Sequence, residues 1–92
     1  MTREEVRAWL EARRPAPPEA LRVRLYRAVD DLPPTPGTQL PAYLSQVGGR
    51  LLDGVIGKPN AGRELALDLL AADAFATYAF EAHAEEGSLH ET

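Results

Sequence analysis

Ninety-two residues, no cysteine and a net charge of −4 fit one domain with a modest core and exclude disulfide staples, thiolate metal sites and a cysteine nucleophile. Arg3, Glu4, Glu5 and Arg7 occupy the place where an export signal needs apolar residues, and the most apolar segment contains Asp68 and Asp73. A cytoplasmic protein that does not span a membrane is therefore expected. Seven arginines against four glutamates give residues 1–29 a charge of +3, leaving −7 for residues 30–92, so the two portions should attract each other. The arginines alternate with glutamates and have no aromatic or glycine-rich readout surface beside them, which argues against nucleic acid as a partner. Arginine outnumbers lysine nine to one and alanine is abundant, the residue usage of a high-GC bacterial genome.

Thr2 and Glu5 have capping-box spacing, and Val6, Trp9 and Leu10 supply an apolar edge before Pro15. A short helix is predicted over 2–14; with only three anchors it is either clamped by Trp9 in a groove, the favoured reading, or partly mobile. Pro17 or Pro18 suits the first turn of a second helix, 17–31. In it Leu21, Leu25, Ala28, Val29 and Leu32 share one face, while Arg24, Arg27 and Asp31 share another. The run Leu32-Pro33-Pro34-Thr35-Pro36-Gly37 ends it as a stiff, extended spacer.

A third helix, 39–57, takes Pro41 into its first turn and carries the cleanest stripe: Leu40, Leu44, Val47, Leu51 and Val55, flanked by Tyr43. Gly48 and Gly49 fall inside it at about 1 kcal/mol each relative to alanine. Close approach of the alanine-rich last helix would offset that cost; a kink at the pair is the alternative. Gly57-Lys58-Pro59 stops this helix and Asn60 caps the last one, 60–87. The connection is short enough to force the last two helices into an antiparallel hairpin. Gly87 has the position of a carboxyl-terminal cap, with a frayed tail after it. The whole chain, 1–92, reads as one helical domain.

The last helix is apolar on two sides. Advanced by about 100° per residue, Leu65, Leu69, Ala72, Ala76, Phe80 and His83 form one stripe, and Leu67, Ala71, Ala74, Phe75, Tyr78 and Ala82 form another roughly opposite. Such a helix is roughly 39 Å long, whereas a compact chain of this size has a radius of gyration of about 12 Å. In a monomeric bundle a central helix faces several neighbours at once; in the other arrangement one stripe meets a symmetry mate or another protein. We assign Leu40, Leu44, Val47, Leu51, Leu65, Leu69 and Phe80 to the core. Trp9, Leu67, Phe75 and Tyr78 are assigned to a partner interface.

Chemistry is sparse. Asp73, Thr77, Glu81 and Glu85 make an acidic ridge on which Asp73 and Glu81, two turns apart, could share a cation. The Glu-x-x-His spacing of carboxylate-bridged metal sites is missing, because Phe80 stands three residues before His83. Ser45 and Ser88 have no histidine or acid at a recognisable offset, and Lys58 is followed by Pro59, which does not make a phosphate loop. The stretch from Leu70 to Glu81, LAADAFATYAFE, resembles a helix of the all-helical polyprenyl diphosphate synthases, and Gly57-Lys58-Pro59 resembles the turn preceding it there. That family depends on two DDxxD-type motifs that bind magnesium; here Asp30-Asp31 is followed by Leu32-Pro33, and no second motif exists. The resemblance implies a tightly packed helix and carries no activity or site residue over. The expectation is an all-α, non-enzymatic bundle of three main helices plus a short amino-terminal one, with no catalytic residue, cofactor or metal. It would act by self-association, as a homodimer, or by docking to another protein. The alternative is a small-ligand or divalent-metal site on the Asp73/Thr77/Glu81 ridge.

Overall fold

Capping side chains and prolines set where the helices begin and end. The computed structural model describes residues 1–57 and 62–90, the side chains of 87–90 excepted, and among these residues it holds four helices and no strand. Thr2 Oγ1 accepts a hydrogen bond from the Glu5 amide at 3.2 Å, so α1 (Arg3–Glu11) starts in the box read from the sequence. It stops three residues short of the expected limit at 14, because its last amides tighten onto carbonyls three residues back, Ala12 to Trp9 and Arg13 to Leu10. The second helix, α2 (Glu19–Asp31), starts at Glu19 and not at residue 17, with Pro18 outside it as the extended cap. A residue that precedes proline is pushed out of the helical region, which excludes Pro17.

The spacer closes with a turn in which the Thr38 amide bonds the Thr35 carbonyl at 3.2 Å, and Gly37 takes the positive φ of 91° that this geometry needs. Then α3 (Leu40–Ile56) opens with Pro41 in its first turn. The last helix, α4 (Arg63–His90), begins after Gly62 and continues through Gly87, which does not cap it. Asn60, expected as its cap, lies outside the described residues.

The third and fourth helices pack side by side as the hairpin, and Gly48 is the reason they can approach so closely. A Cβ on Gly48 would lie 3.1 Å from Phe75 Cβ and 3.3 Å from the Ala72 carbonyl oxygen, whereas one on Gly49 would meet nothing within 4 Å. The two glycines should therefore respond oppositely to substitution. Gly48→Leu is expected to cost about 1–3 kcal/mol through overpacking, and Gly49→Ala to gain up to about 1 kcal/mol of helix propensity. Thermal melts of the two variants check this.

Around the hairpin, α1 contributes Val6 and Leu10, and α2 contributes Leu25, Ala28 and Val29; these close over Tyr43, Leu44, Val47, Ala71, Phe75, Ala79 and Ala82. The second stripe of α4 is thus the interior one. Phe75 is fully buried, while Phe80 and Leu69, expected in the core, are 79% and 45% exposed. The sequence assignment of the two faces is reversed because α1 and α2 both settle on the Phe75 side. Each ion pair among the described residues joins an arginine of the basic portion to an acid of the acidic one: Arg3 to Asp30, Arg13 to Glu81 and Glu85, Arg24 to Asp68. The expected attraction between the portions is realised side chain by side chain. The molecule measures 48 × 27 × 21 Å, with a radius of gyration of 13.4 Å.

Tyr43, read from the sequence as a flank, is a core residue whose hydroxyl donates to the Leu32 carbonyl at 2.6 Å. Burial, reinforced by the Asp30 charge, pushes its phenol from 10.0 up to about 12. A tyrosine that ionises later in the folded state than in the unfolded one stabilises the fold fully below pH 10, and that contribution is lost as pH rises toward 12. Chemical denaturation across this range is expected to show a falling limb that Tyr43→Phe flattens.

Candidate functional site

Two places on the molecule carry side chains beyond what the fold requires. One is the junction of α1 with the distal half of α4. There Trp9 meets Tyr78 edge to face, ring centroids 5.8 Å apart at 82°, and Arg13 lies over the Trp9 ring at 3.7 Å. The indole N–H donates to Glu85 Oε1 at 3.1 Å, and Arg13 Nη1 donates to Glu85 Oε2 at 3.1 Å. The indole hydrogen bond, with Arg13 beside it, holds the Glu85 carboxyl below its ordinary range, and burial followed by the Glu81 charge raises the Tyr78 phenol. Trp9 is clamped, the first of the two arrangements open to so short a helix.

This junction takes up two of the four residues assigned to a partner, Trp9 and Tyr78. Trp9 and Tyr78 are half-buried against the core and against each other, Leu67 is half-buried, and Phe75 has no exposed surface at all. Phe75 therefore cannot touch a partner, and its assignment to an interface is corrected: the side of α4 that carries it is already occupied by α1 and α2.

The other place is the outer face of the hairpin. On α3, Ser45, Gly49, Leu52 and Ile56 recur at alternating steps of four and three, and on α4, Leu69, Asp73, Ala76, Phe80 and His83 do the same; all are exposed. Such steps keep a row of residues on one side of a helix. Ile56 is 75% exposed and Leu52 45%, beside Leu69 and Phe80. Two open hollows lie along the seam. One, of about 350 Å³, is walled by Phe80 and His83 against Pro41 and Ala42. The other, of about 420 Å³, lies between Leu52 and Leu69 over Gly49 and Ala72. Ser45 and Ala76 border both. Sequence reasoning placed Leu69 and Phe80 inside and Phe75 outside; the structure has them the other way round, because α1 and α2 lie against the Phe75 side.

The acidic ridge divides. Asp73 borders the outer hollow, whereas Glu81 lies 3.9 Å from Arg13 on the α1 side. Among the described residues no group of three or more histidine, aspartate or glutamate side chains is placed to hold a metal ion, and no helix is long and apolar enough to cross a membrane. No protein-family description, curated protein or solved structure matches this chain at a significant level.

Proposed function

We propose that this protein is a non-enzymatic bundle that acts by self-association through the outer face of the α3–α4 hairpin. One observation carries the reading: among the described residues Leu52, Ile56, Leu69 and Phe80 stand in two adjacent rows and remain 45% to 79% exposed. Single exposed apolar residues such as Val23 are ordinary. Aligned ones, rimmed by polar groups, mark contact surfaces. Burying Phe80 alone contributes about 1.5–3 kcal/mol. A bacterial, cytoplasmic setting belongs to the same reading, on the residue usage and the charged amino-terminal segment. A cation on the Asp73/Thr77/Glu81 ridge is the weaker reading, since Arg13 already neutralises its distal acid.

Sedimentation equilibrium over a hundredfold concentration range tests the proposal. The wild-type chain is expected to shift from one to two copies, and Phe80→Glu to stay single with its melting midpoint little changed, because the side chain is so exposed. A wild-type chain that remains single at the highest concentration overturns it.

A further inference from the structure

Resting on that reading, we infer that two copies pair about a two-fold axis passing over Ser45 and Ala76, with each Phe80 seated in the other copy's hollow between Leu52 and Leu69. A two-fold contact uses the same patch on both copies, so a projection and its receptacle must lie at equal distances on opposite sides of the axis. The outer face meets that condition. Phe80 projects on one side of Ala76 by four residues, and Ala72, on the floor of the hollow, lies four residues to the other side, about 6 Å in each direction. Ser45 and Ala76, the small residues bordering both hollows, form the low saddle that lets the backbones approach.

Charge and area agree. The ionisable groups bordering the two hollows are one acid, Asp73, and one imidazole, His83, so like charges do not face each other in bulk. The seventeen residues of α3 span about 25 Å, and two helices side by side present a face about 20 Å wide. Covering it on both copies removes about 1,000 Å² from water, the lower end of specific interfaces. An exchanging dimer of separately folded chains follows, not an obligate one.

The chain lacks cysteine, which makes site-directed cross-linking unambiguous. A residue on the axis meets its own copy, so Ala76→Cys is expected to be joined into a covalent dimer by a short bis-maleimide. Leu52, seven residues from Ser45, is about 10 Å from the axis and about 20 Å from its copy, so Leu52→Cys is expected to stay single. Thermal melts of both variants establish that each is folded. If sedimentation shows dimers while Leu52→Cys is joined and Ala76→Cys is not, this arrangement falls and self-association stands. If sedimentation shows no dimer at all, both fall together.

Discussion

Phe75→Ala is expected to remove about 3–5 kcal/mol of stability, and Phe80→Ala to leave the isolated fold nearly untouched. The two phenylalanines sit five residues apart on one helix, yet one has no exposed surface and the other is 79% exposed. Phe75 faces Gly48 across the hairpin, its Cβ 3.1 Å from where a Gly48 side chain would begin, and among the fully buried side chains only Tyr43 ranks larger. Its truncation leaves a void in the core that α1 and α2 close with Val6, Leu10, Leu25, Ala28 and Val29. In a domain of this length such a loss lowers the melting midpoint by about 12 °C or more. Equal effects of the two alanine variants in dilute solution would contradict the placement of α4.

Asp68→Asn is the second large effect. Asp68 is 6% exposed, and Arg24 Nε donates to its Oδ1 at 2.6 Å. Arg24 Nη1 is enclosed without a hydrogen-bonding partner among the described residues. Asparagine keeps the shape at position 68 and removes the charge, leaving the guanidinium in a poorly solvated site. Breaking a buried pair from one side costs about 3–5 kcal/mol, and the 20% exposure of the arginine side chain places this one near about 3 kcal/mol. The double variant Arg24→Met, Asp68→Leu leaves no unpaired guanidinium and is expected to recover the part of the loss that Arg24 causes. Denaturant midpoints of the wild type, both singles and the double close the cycle.

These two cases also show what the amino-acid sequence discloses and what it withholds. Helix number, the breaks at Pro15 and Pro33, the Thr2 cap and the close approach at Gly48 follow from local rules: fixed φ, missing amides and missing Cβ atoms. The surplus apolar face of α4 was legible for the same reason, since helical angles are known before any neighbour is. Which face turns inward was not. Leu69 and Phe80 are as apolar as Leu67 and Phe75, and the choice between them is made by α1 and α2, through contacts far apart in sequence such as Trp9 with Tyr78 and Arg24 with Asp68. The sequence shows Asp68 only as a charge inside the most apolar segment and Arg24 only as part of the Arg27 and Asp31 face of the second helix; neither hints at the other across so many intervening residues.

The 48 Å length of this slender molecule bears on how its copies are to be counted. A rod drags on solvent more than a ball of equal mass, so on a gel-filtration column a lone chain emerges early and imitates a pair. Side-by-side pairing thickens the particle without lengthening it much, and its elution then advances less than a doubling of mass suggests. Light scattering weighs the particle regardless of its outline and tells one chain from two.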